Sequence, residues 1–359
     1  MGFRSNVTES YVIRNFTDEN YRIKVIDMNS EKLGWRNPPA SFNLYGVYAD
    51  GKEPVIREYV EFPALALINR ISEIPDYISL SRDELELIHK YFLIQIYRSP
   101  YNITSFTPEW NGEIDTLRNM KFDDEDYYFG HSVEVMKEIA LTPWDILAQS
   151  KTPEIASSVR HINSSAIIFV RAEGEFVVND AALAVERQPY YYDTPEKMRN
   201  FENWIFPYIH KLGRKVSPEE METFIRNMSF TDNFRIFPFS PDFAMILVSP
   251  PWVANKRKGG KPSDLGSAGL SSDFLERNFD SCIAAYKGEG QDTFVFPVKY
   301  LDAEDTQYLN YLMMNCAMEH IALRDFDKVW PSVVTYNDRR ATHDLRWVRR
   351  RADWSKKLQ

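Results

Sequence analysis

Ala166-Ile-Ile-Phe-Val170 and Glu175-Phe-Val-Val178 flank Arg171-Ala-Glu-Gly174 and close on Asn179-Asp180. Together they decide how the chain is read. β-branched and aromatic residues suit a pleated, half-buried surface, and a four-residue break containing glycine suits a hairpin. A second pair, Phe234-Arg-Ile-Phe-Pro-Phe239 and Phe243-Ala-Met-Ile-Leu-Val248, is joined by Ser240-Pro-Asp242. These are the most apolar strands in the chain. They predict an α+β fold whose central antiparallel sheet of hairpins is covered by helices on one face. Asp180 ends a core strand, where a polar side chain can reach a cleft.

Working outward, Tyr21–Ile26 alternates as a half-buried strand does, and Phe42–Tyr48 reads as another strand. Pro54 opens a helix over Val55–Ile71, in which Pro63 lacks the amide proton for an interior bond and predicts a kink or break. Glu61 lies in that helix, three residues after Glu58 and four after Arg57. Ser81-Arg-Asp-Glu84 is a capping box and starts a helix with a core stripe of Leu85, Ile88, Phe92 and Ile96. His89, Gln95 and Arg98 are its polar members. Gln95 follows Tyr91 and Phe92 at helical spacing, so its amide leans inward and needs a partner.

Two short helices are expected at Ser132–Leu141 and Thr142–Gln149, one at Ser272–Tyr286, and a long one capped by Asp302 and continuing past Asn310 to Leu323. Thr293–Val298 reads as the last strand. The acidic run Phe122–Tyr127 lacks the glycine and terminal glutamate spacing of a calcium loop. Lys256–Gly269 is basic and glycine-rich before a helix, yet matches no phosphate-loop spacing, so it reads as a mobile surface loop. No two of the six histidines stand three or four apart, so the sequence offers no local metal pair.

Apolar residues make 44% of the 359-residue chain and aromatic ones 14%. Its net charge of −9 disfavours coating nucleic acid with the whole surface. Cys282 and Cys316 form no disulfide framework, and each reads as a buried free thiol inside a helix. The opening Met-Gly-Phe-Arg-Ser-Asn fits neither a secretory signal nor a myristoylation pattern, and no window is apolar enough to cross a bilayer. A soluble, cytoplasmic protein without a membrane partner is the expectation. The organisation expected is one domain over 1–335, helix-rich first and sheet-forming later, then a basic tail over 336–359. Arg339–Gln359 interleaves eight cations with Trp347 and Trp354 against two aspartates. Such a segment suits nucleic acid or an acidic partner, or folds onto an acidic body.

Several segments together resemble a family of bacterial and fungal proteins known as domain of unknown function 4238. They are Tyr11-Val-Ile-Arg-Asn-Phe16, the Glu61 helix, Gln95-Ile-Tyr-Arg-Ser-Pro100, Val177-Val-Asn-Asp-Ala181, Phe237-Pro-Phe-Ser-Pro241 and Asn310. The resemblance implies an α+β domain and carries no known reaction. The family's histidine-rich opening is absent here, where Ser5, Asn6 and Thr8 stand, and Ala182 replaces a usual proline. If the family's chemistry uses those histidines, this chain's activity is lost or altered.

Two functions follow from these residues. In one, Glu61 and Asp180 are the catalytic carboxylates of a hydrolase or nuclease, while Gln95, Arg98 and Asn310 hold a phosphate-containing substrate. No metal ligand set is assigned, and a divalent cation is the one cofactor this chemistry suggests. In the other, the same residues form a buried network in a non-catalytic interaction or structural protein.

Overall fold

The computed structural model describes residues 15–20, 22–28, 32–36, 53–98, 135–179, 182–189, 230–250, 252–253, 270–278, 283–284, 293–317 and 320–342. The strand expected at Phe42–Tyr48, the acidic run Phe122–Tyr127, Asp180, the Lys256–Gly269 loop, Cys282 and the tail beyond Thr342 lie outside them.

The fold is α+β, as expected, with sheets that are antiparallel apart from one pair. Eleven strands occur among the described residues. They are β1 (Ile23–Asp27), β2 (Lys32–Arg36), β3 (Tyr77–Ser81), β4 (Ala166–Ala172), β5 (Val178–Asn179), β6 (Ala184–Pro189), β7 (Phe230–Ser240), β8 (Phe243–Val248), β9 (Ile283–Ala284), β10 (Thr293–Leu301) and β11 (His320–Leu323). A seven-stranded sheet runs β3-β10-β4-β8-β7-β6, with β9 beside β4, and a four-stranded sheet runs β2-β1-β11-β5.

The helices begin with α1 (Glu53–Ile56), which passes through a π-helical turn (Arg57–Glu61) into α2 (Phe62–Ser72). Then come α3 (Arg82–Arg98), α4 (135–141), α5 (Trp144–Leu147) and α6 (Pro153–Ser164). The last three are α7 (Leu270–Asn278), α8 (Ala303–Cys316) and α9 (Phe326–Thr342).

The hairpin at 234–248 forms as expected, with Phe234 opposite Val248 and Phe237 opposite Met245. The hairpin expected at 166–178 does not. Strand β4 pairs antiparallel with β8 along one edge, and along the other with β10 in parallel and with β9. The second arm leaves for the other sheet, where β5 pairs with β11. The reason is visible in the composition of β4: Ala166 to Val170 are all buried, as in a central strand covered on both faces. With both edges occupied, β4 has none to offer Glu175–Val178.

Helices therefore cover both faces of the large sheet rather than one. Ile167, Phe169, Met245 and Phe237 point into a first core with α2, α3, α4 and α6, whereas Ile168, Val170, Ile246 and Ile236 point into a second. The second core holds α7, α8, α9 and the inner residues of the small sheet, such as Val25 and Ile321.

Local chemistry explains most ends. Ser81 N donates to Glu84 Oε2 at 2.9 Å and Glu84 N to Ser81 Oγ at 3.3 Å, so the capping box at α3 is made. Pro63 does not stop its helix. Lacking an amide proton, it follows a π-helical turn, whose wider ladder makes room ahead of the proline ring. Asp302 caps α8 by accepting from Asp305 N at 2.8 Å, but that helix ends at Cys316 instead of Leu323. His320-Ile-Ala-Leu323 is a strand because it is buried on both sides and pairs with β1 and β5. Likewise α7 stops at Asn278 and Ile283–Ala284 joins the sheet, where one helix was expected. Helix α9 crosses position 335 unbroken, burying Tyr336.

Candidate functional site

The large sheet sorts the expected site residues. Glu61 ends the π-helical turn and is 1% exposed. The next helix, α2, packs on α3 and on β7. Gln95 lies on α3 and is 3% exposed, and its Nε2 has no hydrogen-bond partner among the described residues. Phe92, one turn before Gln95, packs on Phe237 at 4.2 Å between ring centroids and on Phe239 at 6.2 Å. Asn15 Nδ2 donates to Phe239 O at 2.8 Å. Asn15, the Phe92–Gln95 turn of α3 and Phe237–Phe239 thus meet at one end of β7.

Asn179 O accepts from Ala182 N at 2.9 Å, closing a turn, and Leu183 enters the first core with Phe237. Ala182 sits at φ 58°. Proline, locked near −65°, cannot take that conformation. Asp180 itself lies outside the described residues. Arg98 is the last residue of α3.

Asn310 is elsewhere. It is 0% exposed on α8, among the residues of the second core. Its Nδ2 donates to Glu175 O at 2.7 Å and Ser332 Oγ at 3.0 Å, and its Oδ1 accepts from Val177 N at 2.9 Å. The side chain fastens the 175–177 segment and α9 to α8. Asn179 repeats the device, its Nδ2 donating at 3.0 Å to both Leu183 O and Met313 O.

The burial of two polar groups is not apparent from the sequence. The Glu175 carboxylate, 1% exposed, accepts the backbone N–H groups of Arg324 and Asp325, which lead into α9. Burial holds its carboxyl above the usual range, against the pull of those donors. Its only sequence signal is a charge at the start of an apolar run. His89 was read as a polar helix member, but it is fully buried. Neither ring nitrogen has a hydrogen-bond partner among the described residues, and Trp144 packs on the ring at 5.2 Å. Burial alone pushes its pKa down to about 3, so the imidazole is neutral at every ordinary pH.

Among the described residues, no three His, Cys, Asp or Glu gather to hold a metal ion, and no helix is long and apolar enough to cross a membrane. Comparison with known proteins finds no matching family, no matching curated protein and no matching solved structure.

Proposed function

We propose that the chain is a hydrolase or nuclease-type enzyme acting on a phosphate-containing substrate. The observation that carries this reading is Glu61, a carboxylate held in an apolar core at the exit of a π-helical turn. Such turns recur at functional sites. Gln95, on the helix packed against that turn, has an amide nitrogen that no described residue employs. In the reaction, Glu61 takes the proton of an attacking water and Arg98 grips the phosphoryl oxygens. Asp180 protonates the leaving oxygen, or joins Glu61 in holding a divalent cation. Asn310, with three internal hydrogen bonds, is reassigned from substrate binding to support of the fold. The setting is cytoplasmic, and the basic Arg339–Gln359 segment meets nucleic acid or an acidic partner.

The test is hydrolysis of bis(4-nitrophenyl) phosphate and 4-nitrophenyl phosphate by the full chain, with Mg2+, with Mn2+ and with EDTA. Turnover that falls by ~100-fold or more in Glu61→Gln, at an unchanged melting temperature, is expected. No turnover under any condition, or turnover equal in the variant, contradicts the reading. The second reading, a non-catalytic interaction or structural protein, rests on the Asn310 network, where a suspected site residue is used up internally.

A further inference from the structure

Strand β2 forms one edge of the small sheet, and among the described residues it pairs only with β1. Lys32, Leu33, Gly34 and Trp35 are all exposed, Leu33 at 45% and Trp35 at 48%. Around Gly34, no atom beyond its chain neighbours lies within 4 Å of where a Cβ would stand. The backbone at the middle of the strand is therefore open to water. An open edge of this kind offers N–H and C=O groups to another strand. Its side chains alternate. The register with β1 puts Leu33 and Trp35 on the face of Ile26 and Lys24, and Lys32, Gly34 and Arg36 on the other. Ile23 and Val25 of the neighbouring strand belong to the second core, whereas Glu61 is carried by the helices of the first, so this edge does not depend on the hydrolase reading.

Charge selects the occupant. The described residues between 22 and 36 carry Arg22, Lys24, Lys32 and Arg36 against Asp27, on a chain of net charge −9. Asp27 lies opposite Lys32 in register, but its carboxylate bonds Arg36 at 2.9 Å, and Arg22 is held by Asp18 at 2.8 Å. Lys24 and Lys32 are left without a carboxylate partner among the described residues. A second copy of β2, laid antiparallel about Gly34, would set Lys32 against Arg36, a like-charge pair. Nucleic acid would stack bases on an open aromatic face, yet Arg22 and Lys24 already lie over the Trp35 ring at 4.9 and 5.3 Å. We propose that β2 receives an extended, acidic peptide segment of a partner protein as a fifth strand of the small sheet. In that segment acidic side chains alternate with apolar ones, the first beside Lys32 and the second beside Leu33 and Trp35.

The experiment titrates the full chain against a fluorescein-labelled peptide, Glu-Val-Glu-Val-Glu-Val-Glu, by fluorescence anisotropy. Saturable binding with a Kd of roughly 100 μM or tighter is expected. Methylating the backbone nitrogens of the peptide keeps its charge, removes its strand donors and should abolish binding. Lys32→Glu, at an exposed position, should weaken the unmethylated peptide by about tenfold. A labelled oligothymidine should not distinguish Lys32→Glu from the wild type. The proposal is overturned if the peptide does not saturate, or if the methylated peptide binds equally well. It is overturned too if Lys32→Glu leaves the affinity unchanged, which assigns binding to another basic segment, or if that variant loses oligothymidine binding, which assigns the edge to nucleic acid. Should Lys32→Glu fail to fold, Lys32→Ala carries the same comparison.

Discussion

Asn310 and Glu61 are both polar residues on apolar helices, and nothing in the sequence distinguishes their surroundings. The difference is which face of the seven-stranded sheet each one meets, and that depends on pairings between residues more than a hundred positions apart. Asn310→Ala would strand the amide of Val177 in a dry core. It should cost about 3 kcal/mol or more in a urea titration, with Ser332→Ala costing roughly 1 kcal/mol. An Asn310→Ala chain as stable as wild type would remove the clamp from this account. His89 adds a pH dependence. Its folded pKa of about 3 lies below the ordinary 6.5, so between those values the unfolded chain binds the proton and the folded chain does not. Stability is therefore whole above pH 6.5 and drains as pH falls towards 3, at up to ~1.4 kcal/mol per pH unit from this group. Replacing it as His89→Phe should flatten the urea midpoint between pH 7 and pH 5. An unaltered slope would assign acid sensitivity to other groups.

Elements whose signal is local were legible: the capping box of α3, the Asp302 cap of α8 and the β7–β8 hairpin. Those fixed by tertiary context were not. β4 has the composition of a hairpin arm and the burial of a central strand, and only its occupied edges tell the two apart. β11 follows a helix in an unbroken apolar pattern, so a helix running to Leu323 was the natural extrapolation. The turn from Asn179 to Leu183 is a similar case, since Ala182 gives no hint of a left-handed backbone. There Ala182→Gly should stabilise the protein by about 0.5–1 kcal/mol, because glycine takes positive φ without a Cβ penalty. Ala182→Pro should destabilise it by ~3 kcal/mol or more. The reverse order of urea midpoints would mean that the turn is not left-handed.

At the scale of the whole molecule, one sheet buried on both faces divides the protein into two cores: Leu183 and the residues around Glu61 and Gln95 go with the first, while Val178 and Ala184 belong to the second and Asn179 bonds to Met313 there. The charge divides as well. Removing His343–Gln359 takes away six cations and two aspartates, moving the net charge from −9 to −13. A nucleic-acid partner for this segment predicts binding to a duplex fragment that falls steeply with salt and vanishes on truncation. Binding that survives truncation would assign it to the body instead.

The proposed function requires that Arg98 and Asp180 meet the substrate and are not a buried pair that holds the fold. Thermal unfolding of Asp180→Ala, Arg98→Ala and the double variant tests it most directly. A functional site predicts melting temperatures within about 2 °C of wild type for all three, as for substitutions away from packed or paired groups. A loss of roughly 3–5 kcal/mol in each single variant, partly restored in the double, is the signature of a broken buried ion pair and would contradict the account.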